Sequence, residues 1–149
     1  MSYIEENLMS GEQVVYRATL SRIIYSWPAA FALLGLLALS APAGAFLFFL
    51  IAGVAALFCY IELKASEFGV TNKRVLVKVG VFSRRSLEIL LTKVEGISVN
   101  QGILARVLNY GTIIITGTGG TKEPFKRIAR PLEFRKRVQE QISLIQPTR

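Results

Sequence analysis

Residues 23–61 read IIYSWPAAFALLGLLALSAPAGAFLFFLIAGVAALFCYI, thirty-nine consecutive positions without a charged side chain. One straight helix of that length would run to about 58 Å, roughly twice the hydrocarbon thickness of a bilayer. Near its middle stands Ser40-Ala41-Pro42-Ala43-Gly44, where a proline and a glycine two residues apart disfavour a continuous helix and favour a turn. The block therefore predicts a hairpin of two membrane helices, about 23–39 and about 45–61, each near the lower limit for crossing. Tyr25 and Trp27 near its start and Tyr60 near its end mark one shared headgroup level. Arg17 and Arg22 precede the block, Lys64, Lys73 and Arg74 follow it, and the turn carries no charge, so the positive-inside rule puts both termini in the cytoplasm.

Two other readings of the block are weaker. Small residues around Pro42 resemble a leader-peptide cleavage site, but the leader would be long, would start with Glu5, Glu6 and Glu12, and would run straight into a second apolar span. A soluble helical hairpin, apolar all round, would need a large protein to cover it, and the rest of the chain is too small for that.

Composition agrees with a membrane protein carrying one small polar domain: 52% of the 149 residues are hydrophobic and the mean hydropathy is +0.44. The net charge is +8, and from Glu62 onward 16 bases face 7 acids. A basic domain tethered beside a bilayer has the anionic leaflet as its nearest partner. Nucleic acid is not expected, because the bases are not interleaved with aromatic residues. Cys59 is the single cysteine, so no internal disulfide is possible, and inside the apolar block it reads as a small packed residue.

Beyond the block the hydrophobic period shortens to two. Val75, Val77 and Val79, then Leu87, Ile89 and Leu91, then Ile97 and Val99, then Ile113 and Ile115 mark half-buried strands. Thr71-Asn72-Lys73, Gly80 and Gly117-Thr118-Gly119-Gly120 supply turns between them, with a last strand around 121–126. Residues 102–108 predict one or two helical turns ending at Asn109 and Gly111. After Pro131, Phe134, Val138, Ile142 and Ile145 recur at helical spacing, predicting an amphipathic helix over 131–145 that covers the open end of the sheet rather than lying on lipid. Before the block, Val14 to Tyr16 and Ala18 to Leu20 carry weaker strand character. The expected organisation is a cytoplasmic segment 1–22 with a possible strand, the membrane hairpin 23–61, and a cytoplasmic α+β domain 62–149.

Most catalytic constellations lack their parts. The chain has no histidine and no aspartate, which removes Ser-His-Asp and Cys-His arrangements and the common metal-ligand clusters. Neither catalytic residues nor a cofactor or metal are therefore expected. Glu62, Glu67, Glu88, Glu95, Glu123, Glu133 and Glu140 are scattered among bases and read as a solvated surface. The run Gly117 to Lys122 looks like a phosphate loop only superficially, since Thr121 precedes Lys122, Pro124 follows and strands flank it. The remaining feature is the bases. Arg17, Arg22, Lys64, Lys73, Arg74, Lys78, Arg84, Arg85, Lys122, Lys126 and Arg127 are the candidates to face an anionic leaflet, each contributing about 1 kcal/mol if it does.

Several segments together resemble a known family: Glu67-Phe68-Gly69-Val70-Thr71-Asn72-Lys73-Arg74-Val75, Gly80-Val81-Phe82-Ser83-Arg84-Arg85, Lys93 to Gln101, and Leu108-Asn109-Tyr110-Gly111-Thr112 with the glycine run after it. They resemble bacterial pleckstrin-homology-like (PH-like) domain proteins, often YdbS-like, in which two transmembrane helices precede the domain. The resemblance implies a curved antiparallel sheet or barrel of seven or so strands capped by a C-terminal helix, in a bacterial inner membrane. It implies little about activity, and no phosphoinositide motif is present to carry over. The expected function is a non-enzymatic, membrane-anchored interaction module that binds a protein partner or itself at the inner leaflet. The alternative is a module for an anionic lipid headgroup or small ligand.

Overall fold

The computed structural model describes residues 3–80 and 85–146. A short helix α1 (Tyr3–Glu6) leads to strand β1 (Val14–Ala18). A 3-10 turn (Arg22–Tyr25) then opens into helices α2 (Ser26–Leu37) and α3 (Pro42–Ala65). Six more strands follow: β2 (Glu67–Thr71), β3 (Arg74–Val79), β4 (Arg85–Leu90), β5 (Val94–Asn100), β6 (Tyr110–Gly117) and β7 (Lys122–Ala129). Helix α4 (Ile103–Val107) sits between β5 and β6, and α5 (Pro131–Ile145) ends the fold.

The strands form two antiparallel sheets, in the orders β1-β2-β3-β4 and β5-β6-β7. They join at one corner, where Leu20 bridges Ile128, the Ser21 amide donates to the Arg127 carbonyl (2.7 Å) and the Ala129 amide to the Thr19 carbonyl (3.0 Å). Phe68, Val70, Val75 and Val77 of one sheet face Val94, Ile113, Ile115, Phe125 and Ile128 of the other. Helix α5 inserts Phe134 and Val138 into this core, with the Tyr16 ring edge-on to Phe134 at 6.3 Å. Its apolar stripe is thus spent on the sheets, as its spacing predicts.

The segment before the helices belongs to the sheet. Strand β1 pairs with β2 through Tyr16–Val70, Arg17–Gly69 and Ala18–Phe68. The helix pair is therefore an excursion that leaves and re-enters one sheet at adjacent strands. Ahead of β1, Ile4 packs so closely on Gly69 that a Cβ there would lie 2.7 Å from the Ile4 Cδ1.

The helix boundaries differ from those predicted. Pro42 and Gly44 lie in the first turn of α3 rather than in the connecting turn, which is residues 38–41. Proline fits the first helical turn because its missing N–H is one that no helix satisfies there, and its fixed φ suits a helix. The second helix consequently gains length at both ends and the first loses it. At 1.5 Å per residue α3 spans about 36 Å and α2 about 18 Å. Among the described residues α3 is the one helix long and apolar enough to cross a membrane.

The two helices pack through small residues at seven-residue spacing, Pro28 and Gly35 on α2 and Ala45 and Ala52 on α3, which are the buried positions of each. A Cβ on Gly35 would stand 3.2 Å from the Phe49 ring and 3.3 Å from the Phe48 Cβ. Small residues permit the close backbone approach on which helix pairs rely when their outer faces are apolar. The Cys59 thiol donates to the Ile24 carbonyl at 3.4 Å, tying the 3-10 turn to α3. Replacement Gly35→Leu should force the helices apart. A disulfide between cysteines introduced at Gly35 and Phe48 in a Cys59→Ala chain should form readily, and adding Ala45→Leu should suppress it.

Candidate functional site

The predicted cationic side chains separate by position into two groups and one buried exception, Arg74. The first lies at the foot of the helix pair. Arg17, Arg22, Lys64 and Arg130 line an open cleft of about 610 Å³ with Leu63 and Leu108. Arg22 and Lys64 are exposed at the first 3-10 turn and the last turn of α3. Arg17 meets Glu5 at 2.6 Å, with both side chains about half exposed. Tyr16 closes one wall, and burial together with the Glu133 carboxylate raises its phenol above the usual 10.0, so it stays a neutral hydroxyl.

Arg127 is placed by strain. Between Gly111 and Ile113 the β6–β7 register slips, so that Lys126 and Arg127 bulge from β7, with Arg127 at φ 60°. Such a bulge re-aims a side chain at a local cost of about 1 kcal/mol or more. The guanidinium reaches Glu62 of α3 at 3.5 Å, and Lys126 and Arg127 also line a second hollow with α4. Arg130, also at positive φ (50°), leads directly into α5.

The second group lies outside that cleft: Lys73 and Lys122 at strand ends remote from the helices, Lys78 and Arg85 at the helix end of the first sheet, opposite Glu67 and Val79. Lys73 stands at the other end of β2, about 15 Å from α3 at the strand rise, and donates its ammonium to the Ser10 carbonyl at 3.1 Å. Lys122 begins β7 at the far end of the β6–β7 hairpin, opposite Thr116. Arg85 is ion-paired with Glu123 at 2.9 Å. Lys78 is half-buried, its ammonium 4.6 Å from the centre of the Tyr3 ring. Arg84 lies outside the described residues.

Arg74 corrects the expectation that it faces lipid. It is 5% exposed and holds the N-terminal segment to the sheet. Its Nε and Nη2 donate to the two oxygens of Glu12, each at 3.0 Å, a bidentate pair. Its remaining donors go to Glu88 and to the Asn7 carbonyl. The Glu12 side chain is fully buried, and its carboxylate also accepts from the Thr71 hydroxyl (2.6 Å) and the Met9 amide (2.8 Å). The Thr71 hydroxyl in turn accepts from the Lys73 and Arg74 amides. Thr71-Asn72-Lys73-Arg74 is therefore a turn built to clasp Glu12. Glu88, read as a solvated surface carboxylate, shares the Arg74 guanidinium. The pattern around Glu12 gave no sign of this, because the partner lies 62 positions away.

Of the predicted bases the fold brings Arg17, Arg22 and Lys64 to the cleft and Lys126 and Arg127 to the adjoining hollow, and Arg130, which was not among them, joins the cleft. The αL backbone that aims Arg130 into the cleft has no signature in sequence beyond the following Pro131. Among the described residues no group of three or more His, Cys, Asp or Glu side chains is placed to hold a metal ion.

A two-sheet antiparallel fold of seven strands closed by a C-terminal helix is the PH-like arrangement, and the family model for the bacterial PH domain matches residues 28–142. The chain belongs to the bacterial PH domain family. The matched region takes in α2 from its third residue, all of α3, β2 to β7 and most of α5. Neither the curated proteins nor the solved structures include a significant match. Domains of this kind are generally non-enzymatic binding modules.

The buried pair makes a pH prediction. Burial opposes ionisation of Glu12, but the hydrogen bonds from Arg74, Thr71 and Met9 and the charge of Arg74 outweigh it and hold the carboxyl below its usual 4.5. A depressed carboxyl contributes stability that is complete above pH 4.5 and is lost as pH falls through the folded value. Glu12→Gln should therefore cost about 3 kcal/mol at pH 7 by stranding Arg74. The gap from the unaltered chain should close as the pH drops below 4.5 in denaturant unfolding followed by circular dichroism.

Proposed function

We propose that this member of the family is a non-enzymatic module anchored in a bacterial inner membrane by α2 and α3, with its domain on the cytoplasmic leaflet. One observation carries the reading: the apolar helix pair stands outside the domain's core with Trp27 72%, Leu37 75% and Phe46 70% exposed, and cations ring its foot. Apolar surface on that scale is not stable against water and needs a cover. The pairing of β1 with β2 supports a hairpin over a single crossing. If α3 crosses, the chain must have reached its start from the other side, so the 3-10 turn and α2 cross as well. Together Arg22–Leu37 span about 26 Å, close to the bilayer core of about 30 Å. The YdbS-like arrangement, two membrane helices joined to the domain, is the one we assign.

At the leaflet the domain binds a protein partner or another copy of itself. One available edge is β5, which has a single neighbour in its sheet and borders a shallow groove with α5 between Ile97 and Ile142. A second reading has specific support: four cations converge on the cleft at the helix foot, suiting an anionic lipid headgroup. Because β1 and the Glu12 clasp belong to the sheet, a chain cut at residue 62 lacks an edge strand, and either reading is tested on the full chain.

The protein should remain with membranes through alkaline carbonate and high salt and be released by detergent. Recovery as a dissolved monomer would remove the anchoring reading. For the cleft, Arg22→Glu with Arg130→Glu should leave membrane recovery unchanged. The same change should abolish the preference of the detergent-solubilised protein for phosphatidylglycerol over phosphatidylcholine in mixed micelles. Selectivity surviving the double change would favour diffuse charge over a pocket.

A further inference from the structure

Helix α4 is apolar on the outside. Ile103 is 85% exposed, Leu104 73%, Val107 78% and Leu108 52%. At about 100° per residue these four occupy one arc of about 140°. Ala105 is the buried residue of the helix, and Arg106 points elsewhere on its circumference. The exposure does not come from a loosely held loop. The Gln101 amide nitrogen donates to the Tyr110 carbonyl at 2.7 Å and lies 3.5 Å from that of Ala105, clamping both ends of the turn. Asn109, at φ 52°, ends the helix and accepts the Arg130 amide through its carbonyl at 3.0 Å.

Its position identifies what covers it. Leu108 lines the basic cleft together with Leu63 and Lys64 of α3. Ile103 and Leu104 share the neighbouring hollow with Arg127, the same arginine that pairs with Glu62 in the last turn of α3. The apolar arc therefore lies across these two hollows from the last turn of α3. Arg106, Lys126, Arg127, Arg130, Arg22 and Lys64 surround it, all exposed. An apolar centre with a cationic rim, beside a helix that enters lipid, has the chemistry of an anionic bilayer interface. The rim is predominantly cationic, with Glu62 paired to Arg127 within it, which favours an anionic surface over a neutral one.

The geometry points to α4 as a membrane wedge: Ile103, Leu104, Val107 and Leu108 insert into the headgroup and upper acyl region of the leaflet that α3 enters. This rests on the anchoring reading above and adds a second, separate attachment that fixes the tilt of the domain on the bilayer. With the α2–α3 pair as the one point of attachment the domain would pivot. With α4 seated as well, the β5 edge is held at a fixed angle to the leaflet.

The test uses the full chain with Cys59→Ala in vesicles of phosphatidylethanolamine and phosphatidylglycerol. A single cysteine at Leu104→Cys, or at Val107→Cys as an independent position, carries an environment-sensitive fluorophore. The control is Leu144→Cys, 75% exposed and about 20 Å along α5 from the cleft. The α4 probes should shift to the blue and lose most of their emission to lipids carrying a nitroxide near the headgroup, while the Leu144 probe keeps its aqueous emission. Aqueous emission from both α4 probes in protein that floats with the vesicles overturns the wedge and leaves the anchor standing. A blue shift without nitroxide quenching means that a second copy or another protein covers α4, and also overturns it. Failure of the unlabelled chain to float removes the anchor itself.

Discussion

Ala18 and Phe68 stand opposite each other in neighbouring strands, although the whole apolar helix pair lies between them in sequence. That pairing makes the helices an insertion within a sheet rather than an appendage to it. Both ends of the insertion emerge at one place, so everything near that place inherits a position relative to the helices. The corner where Leu20 bridges Ile128 lies there, and with it the Arg127 bulge, the start of α5 and helix α4. Without the β1–β2 ladder the cations at the helix foot would have no common geometry.

The ladder is in turn secured from the outside. β1 is an edge strand in its sheet, and an edge strand ahead of a long excursion closes a costly loop. The Glu12–Arg74 pair holds the approach to β1 against the β2–β3 turn, and Ile4 on Gly69 adds apolar contact beneath it. A buried ion pair adds little net stability compared with apolar packing, but it specifies register, because a shifted strand would strand both charges. This gives a physical reason for a buried glutamate and arginine in a domain whose other ion pairs are largely at the surface.

The same chemistry that holds the domain together leaves the basic surface uneven. Arg74, Lys78 and Arg85 are occupied by Glu12 and Glu88, by Tyr3 and by Glu123, and they have little to offer an external anion. Net charge therefore overstates the field a partner meets. At the helix foot Arg17 and Arg127 are likewise paired, with Glu5 and Glu62, while Arg22, Lys64 and Arg130 gather beside the exposed apolar arc of α4. In this family member the binding-module fold turns a charged and an apolar surface toward one end.

Local pattern determined much of this molecule. The uncharged block, the alternating strands, the Thr71-Asn72-Lys73 turn and the Phe134 helix each depend on side-chain period or turn chemistry within a few residues, and period is visible in one dimension. Tertiary structure decided what depends on distance. It assigned Pro42 to a helix start instead of a turn, since proline suits both and the neighbouring helix chooses. It made Arg74 an internal clasp rather than a surface base, since its carboxylate arrives from 62 positions away. It selected the cations that gather at the helix foot, because a strand's end, unlike its face, is set by the paths of its partners.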